Sequence, residues 1–136
     1  MLIIKNAYLI NPATKFEGMV TIYTDNGIIT NIVGANKDNG VYPEGVQVID
    51  ATGLTAIPGL IDVHTHFRDP GFTYKEDIQS GSCAAAAGGY TTVIMMCNTK
   101  PAIDNVDTLR ECLEKGAKSP IRVLSCGAVT KNLKGE

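Results

Sequence analysis

Hydrophobic positions change rhythm once along the chain. From Met1 to about Thr52 the apolar runs are short and strand-like: Leu2-Ile3-Ile4, Ala7-Tyr8-Leu9-Ile10, Met19 to Tyr23 and Ile28 to Val33. Asn11-Pro12 ends the first two runs, and Thr24-Asp25-Asn26-Gly27 separates the last two. An Asn-Gly pair between β-rich runs predicts a tight hairpin, because a primed turn needs positive φ that both residues accept. A polar loop with Asn36, Asp38, Asn39, Gly40 and Pro43 then leads to a short strand at Gln47-Val48-Ile49. No helical periodicity occurs here. Residues 1–54 are predicted to form the N-terminal part of a small β-sandwich lobe.

Beyond Thr52 strands and helices alternate. Ile57 to Val63, Thr91 to Cys97 and Ile121 to Cys126 are apolar strands. Thr73-Tyr74-Lys75-Glu76 fits a capping box opening a helix that runs through Ile78 and Ala84 to Ala87 and stops at Gly88-Gly89. Asn105 starts a second helix, with Val106, Leu109 and Leu113 at helical spacing and Gly116 at its end. Strand, helix, strand, helix, strand with nearly continuous apolar strands implies a parallel sheet. The fold class expected is α/β: residues 55–136 as the first βαβαβ units of a (β/α)8 barrel, preceded by the β lobe. Such a barrel takes about 250 residues. The chain is therefore expected to be incomplete, with a sheet edge and much apolar surface uncovered.

Composition narrows the functional classes. Hydrophobic residues make up 44% and charged residues 19%, a balance suited to a packed core. Twelve basic residues against 14 acidic give a net charge of −2, scattered and not clustered, so no nucleic-acid footprint is expected. No apolar run approaches the roughly 20 residues that span a bilayer, and the N-terminus lacks signal-peptide features. The expected location is cytoplasmic. Cys83, Cys97, Cys112 and Cys126 show neither CxxC pairing nor zinc-ligand spacing, and are expected as buried reduced thiols.

The chemistry lies in Pro58-Gly59-Leu60-Ile61-Asp62-Val63-His64-Thr65-His66-Phe67-Arg68. His64 and His66, the only histidines, sit two apart at the end of an apolar strand, so both should face one side. Strand C-termini are where barrels of this class build active sites, and imidazole is a good ligand for a divalent ion. An isolated HxH is weak evidence; its position after a buried strand strengthens it. Asp62 shares the parity and reads as a supporting group more than a direct ligand. Arg68, if the chain stays extended, sets a carboxylate-binding fork beside the pair; the plainer reading pairs it with Asp69. Asn98 occupies the equivalent place after the next strand, where its amide could hold a polar substrate, or merely a turn before Pro101. Gly88-Gly89 is no phosphate loop, since no GK[ST] follows. Ser80 and Ser82 lie in no nucleophile elbow.

The stretch from Pro58 to Pro101 resembles the amidohydrolase superfamily, and within it the dihydroorotase family of the larger, bacterial type. Pro58 to His66 is similar to the superfamily's metal-binding first strand. His66-Phe67-Arg68-Asp69-Pro70-Gly71, Tyr74-Lys75-Glu76-Asp77 and Asn98-Thr99-Lys100-Pro101 are similar to dihydroorotases in particular, although Cys97 stands where that family usually has proline. Leu2 to Ala7 and Asp50 to Gly53 look like the flanking β lobe. The resemblance implies His64 and His66 as zinc ligands, with one or two ions bound, and Arg68, Asn98 and His66 as substrate-binding groups. The implied reaction is reversible conversion of N-carbamoyl-L-aspartate to L-dihydroorotate by metal-activated hydroxide, a step of pyrimidine biosynthesis. The general acid/base would lie beyond residue 136, so the chain alone is expected to be inactive. A small-molecule substrate and no nucleic-acid or membrane partner are implied; a homodimer is compatible with this reading. The alternatives are an allantoinase or dihydropyrimidinase, or a catalytically silent homologue acting as a scaffold.

Overall fold

The computed structural model describes residues 1–135. The chain divides into two compact units, Met1–Pro58 and Gly59 onward.

The first unit is one sheet. Strands β1 (Leu2–Asn11), β2 (Phe16–Asp25), β3 (Ile28–Gly34) and β4 (Gln47–Asp50) lie in the order β3-β2-β1-β4, and β5 (Thr55–Ala56) also pairs with β1. β1 and β2, and β2 and β3, are antiparallel; β4 and β5 run parallel to β1. The hairpin at Asn26-Gly27 forms as expected, with φ of +50° and +76°. The two apolar runs Leu2–Ile4 and Ala7–Ile10 are one strand. The register shifts between Ile4 and Ala7 and Asn6 has φ +59°, a bulge that absorbs the polar interruption. Asp50 holds this bulge: it accepts from Asn6 Nδ2 at 3.1 Å and Thr52 Oγ1 at 2.6 Å, and pairs with Lys5 at 3.2 Å. These donors, Thr52 foremost, keep the Asp50 carboxyl far below the usual carboxylate range. Ala7, Leu9, Val20, Ile22 and Ala51 form the core, and Ile3 is also buried. The one helical segment among the described residues of this unit is a 3-10 turn at Ala35–Lys37, in a stretch expected to have none.

Asp38 closes the loop after that turn. Its carboxylate accepts from Thr21 Oγ1 at 2.5 Å, Tyr42 Oη at 2.7 Å, Tyr23 Oη at 3.1 Å and the Gly40 N–H at 3.0 Å.

The second unit alternates. Strand β6 (Leu60–Thr65), helix α1 (Ile78–Ala87), strand β7 (Tyr90–Met95), helix α2 (Val106–Gly116) and strand β8 (Arg122–Ser125) build a parallel sheet in the order β6-β7-β8. This is the order of the opening units of a (β/α)8 barrel. Phe67, Ile78, Val93, Met95, Ile103, Cys112 and Val123 form its core. β6 begins three residues later than its apolar run. A Cβ on Gly59 would lie 2.1 Å from the Thr91 side chain, so the chain enters the strand where only glycine fits.

Two sequence expectations fail in the helices. The capping box is not at Thr73: Asp77 accepts from the Ser80 N–H at 2.7 Å and Ser80 Oγ takes the Asp77 N–H at 3.1 Å, so α1 starts a turn later. Residues 72–75 instead make a turn, with Lys75 N–H donating to Phe72 O. On α2 the buried residues are Thr108, Cys112 and Gly116, while Val106 of the apolar stripe is 66% exposed. Close approach explains the choice, since a Cβ at Gly116 would sit 3.0 Å from Val123. The helix seals its small residues against the sheet, with Leu109 packed beside them and Val106 left outside. Of the cysteines Cys112 is buried and Cys97 and Cys126 are half-buried, but Cys83 is exposed, against expectation; all four are free thiols. Ile61 and Val63 on the edge strand β6 are 63% and 64% exposed. No helix among the described residues is long and apolar enough to cross a membrane.

The Asp38 network sets an acid dependence. Hydrogen bonds from Thr21 and then Tyr42 lower its pKa from 3.8 to about 2. A depressed carboxylate contributes stability that is fully present above its unfolded value and is lost as pH falls through the folded one. Asp38→Asn should therefore lower the melting temperature at pH 7, and the gap to wild type should close between pH 4 and pH 2. Melting curves across that range check this; a gap that stays constant rules the network out as a stabilising element.

Candidate active site at the strand ends

The C-terminal ends of β6 and β7 are stitched together. Thr65 Oγ1 donates to Ile94 O at 3.1 Å, and the Met96 N–H donates to Thr65 O at 2.8 Å. Between the pairs Asp62–Val93 and Thr65–Met95, β6 uses one more residue than β7. That bulge is pinned by Asp62, whose Oδ1 accepts the His64 backbone N–H at 2.9 Å. Simple alternation therefore does not carry from Asp62 to His66, and the Asp62 carboxylate serves its own backbone. The two imidazoles still meet: their ring centroids are 5.1 Å apart and their planes 66° from parallel. Both are exposed.

Asn98 joins the second strand end to the first. Its Oδ1 lies 2.9 Å from His66 Nδ1. A carbonyl oxygen only accepts, so Nδ1 donates this bond, and in the neutral imidazole that leaves the lone pair on Nε2. The Asn98 Nδ2 donors are then left for another group. An imidazole whose second nitrogen is held in this way is oriented as metal-ligating histidines usually are. The pair thus fits part of a divalent-metal site. Among the described residues no three His, Cys, Asp or Glu side chains converge, so the chain offers two ligands where catalytic zinc takes three.

The loop after β6 carries Arg68 and is held from two directions. Asp69 is 5% exposed, and its Oδ1 pairs with Lys115 Nζ of α2 at 2.7 Å; Lys115 also pairs with Glu111 at 2.9 Å. Asp69 and then Glu111 hold the Lys115 ammonium above its usual pKa. The plainer reading of Arg68, a pair with Asp69, is not what the structure shows, since the acid is turned to Lys115. Among the described residues Arg68 makes no ion pair, and it is half-buried. The second hold is backbone. Lys100 N–H donates to Pro70 O at 3.0 Å, and Gly71, at φ +95°, lies under the Lys100 carbonyl so closely that a Cβ would be 1.9 Å from that oxygen. The loops bearing His66, Arg68 and Asn98 are therefore one assembly. Sequence reasoning gave Asp69 the wrong partner, assigned no role to Gly71 and missed Lys115. Pro70-Gly71 was the visible sign, a turn pair directly after the candidate arginine; nothing local marks Lys115.

A family model described as dihydro-orotase-like matches residues 53–136, and the chain belongs to that family. It is 50% identical to the dihydroorotase of Clostridium acetobutylicum over 99% of this chain and 31% of that protein. The dihydroorotase of Aquifex aeolicus is 46% identical, again over 99% of this chain and 31% of the relative. Among solved structures, the L-hydantoinase (dihydropyrimidinase) of Arthrobacter aurescens superposes with TM-score 0.82 at 27% identity, covering 97% of this chain and 29% of that one. The D-hydantoinase of a Thermus species gives 0.69 at 31% identity, covering 99% and 30%. The chain thus spans about a third of the length of the relatives it matches.

Gly71→Ala should destabilise the second unit by about 2–4 kcal/mol, combining a backbone clash with a strained positive φ. Gly53→Ala, at φ +80° but facing open space, should cost only about 1 kcal/mol. Urea unfolding of both variants checks the difference; equal costs would mean the two loops are not in contact.

Proposed function

We propose that the protein carrying this chain is a zinc-dependent dihydroorotase, interconverting N-carbamoyl-L-aspartate and L-dihydroorotate. The observation that carries the reading is Arg68, left without an acidic partner among the described residues while Asp69 engages Lys115 two helices away in sequence. Relatives named dihydroorotase at 43% to 50% identity support the same reaction.

His64 and His66 would contribute two of the ligands, and the others, with the general acid/base, would come from outside this chain. The bound ion would polarise the ring amide carbonyl and make water acidic enough to attack near neutral pH. Arg68 offers a planar fork that suits the ring carboxylate of dihydroorotate in bidentate geometry. Asn98 works in two directions: its carbonyl orients His66, and its amide N–H groups can donate to the same carboxylate. Both residues ride on loops fixed to each other through Lys100 and Gly71, so a substrate held by the pair is held at a set distance from the histidines.

A second reading has its own support. The hydantoinases superpose well, and their substrates lack the carboxylate that Arg68 is assigned. Turnover of dihydroorotate, hydantoin, dihydrouracil and allantoin by the full-length protein, with zinc measured on the same sample, separates the readings. Preference for any of the last three sinks the dihydroorotase assignment. Absence of both zinc and turnover would favour a silent scaffold, and the 136-residue chain alone should be inactive.

Arg68→Ala should reduce kcat/KM for dihydroorotate by about 30- to 150-fold, about 2–3 kcal/mol, mainly through KM. Bound zinc should be unchanged in that variant, whereas His66→Ala should lose it. Unaltered KM and kcat in Arg68→Ala would remove the assigned role.

A further inference from the structure

Arg68 and Asp69 are neighbours of opposite charge on one loop, yet they are not paired. Asp69 Oδ1 accepts from Lys115 Nζ at 2.7 Å, and among the described residues no other side chain donates to that carboxylate. The acid is 5% exposed, so water reaches too little of it to replace the ammonium. Lys115 is itself anchored. Its backbone carbonyl accepts from Gln79 Nε2 of α1 at 3.0 Å, and Glu111, one turn earlier on α2, pairs with the same ammonium at 2.9 Å. The loop is anchored too: the Phe72 N–H donates to Arg68 O at 2.8 Å, and the Lys100 N–H to Pro70 O at 3.0 Å. With backbone held on both sides of Asp69, the side chains alone decide which cation the acid meets.

We propose that Lys115 is a positioning residue for the reaction: by occupying the Asp69 carboxylate it keeps the Arg68 guanidinium open to the carboxylate of the substrate. The inference rests on the dihydroorotase reading and extends it to a lysine 46 positions from the acid it holds. Without that ammonium the buried carboxylate has no counter-charge, a state that proteins avoid by recruiting another cation. The next cation along the chain is Arg68, which makes no ion pair of its own among the described residues. Two carboxylates then compete for one fork, that of Asp69 at fixed proximity and that of the substrate from solution. Binding weakens, while the chemical step on substrate already bound is left alone, so the effect falls on KM and not on kcat. A lysine that only stiffened the loop would behave differently. Its removal would misplace Arg68 and Asn98 together, and neutralising Asp69 as well would restore nothing.

The test is steady-state kinetics of the full-length protein with dihydroorotate, with bound zinc measured on every variant. Lys115→Met should raise KM at least about fivefold, short of the loss in Arg68→Ala, with kcat and zinc content unchanged. Asp69→Asn/Lys115→Met, which removes the competing charge, should return KM to the wild-type value, and Lys115→Arg should keep it there. Lys115→Gln, which leaves the acid a neutral donor, should shift KM the same way by less and stands in if Lys115→Met does not fold. An unchanged KM in the folded Met or Gln variant, or a KM in the double variant as high as in Lys115→Met, would overturn the proposal. A wild-type enzyme that turns over no dihydroorotate would instead remove the dihydroorotase reading, and this inference with it.

Discussion

A carboxylate that is 5% exposed needs a cation or several donors, and Asp69 takes Lys115. That one requirement reaches far. Lys115 belongs to the last turn of α2, where a basic group also suits the helix dipole. By reaching back to Asp69 it ties the loop after β6 to a helix that follows β7. The same pairing decides the state of Arg68. Were Asp69 on the surface, the adjacent arginine would be its natural partner and would have no free fork to offer. Burying the acid under α2 hands it to Lys115 and leaves the guanidinium available. The electrostatics of a structural pair thus shape the chemistry of its neighbour.

The strand ends follow a similar logic of borrowed constraint. A bulge in β6 is pinned by Asp62 on the His64 backbone, and an amide on the next strand holds the His66 ring. Neither imidazole is positioned by burial, since both are exposed. The His64 backbone and the His66 ring are held by hydrogen bonds whose far ends lie in the sheet or in a loop clamped to it. This is how an open, solvent-facing pair can still be rigid enough to bind, with the loops closed over Gly71 and Lys100 supplying the rest of the stiffness.

Much of the fold was legible because its signals are local. Asn26-Gly27 dictates positive φ, Asn105 caps α2 with its own side chain on Thr108, and Gly88-Gly89 cannot continue a helix. The candidate site was legible for the same reason as far as His64, His66 and Asn98, which the structure brings together at adjoining strand ends. What was not legible depends on partners distant in sequence. Asp77 wins the α1 cap from Thr73 because residues 72–75 are committed to a turn that closes on Arg68. The face α2 buries is chosen by the space Val123 leaves, which favours Gly116 and Cys112 over Val106 and Leu113. Parity failed between Asp62 and His66 because a bulge is an inserted residue, and apolar patterning does not count insertions.

The exposed side chains of β6 give the last step. A parallel strand is ordinarily covered on both faces, yet Ile61 and Val63 stand about two-thirds open while Val93 and Met95 on the central strand are sealed. Register adds to the contrast: Ile61 lies level with Thr92, and the sealed Val93 lies level with Asp62 and not with an apolar residue. Relatives of this chain are about three times as long, which leaves ample sequence to flank β6. Covering that edge would lower the local dielectric around the two imidazoles and strengthen every interaction made there. On the proposed reading, Arg68, Asn98 and the histidine pair would act within that covered environment. The local hydrogen bonds determine where the groups stand; the remainder of a family-length barrel would determine how strongly they act.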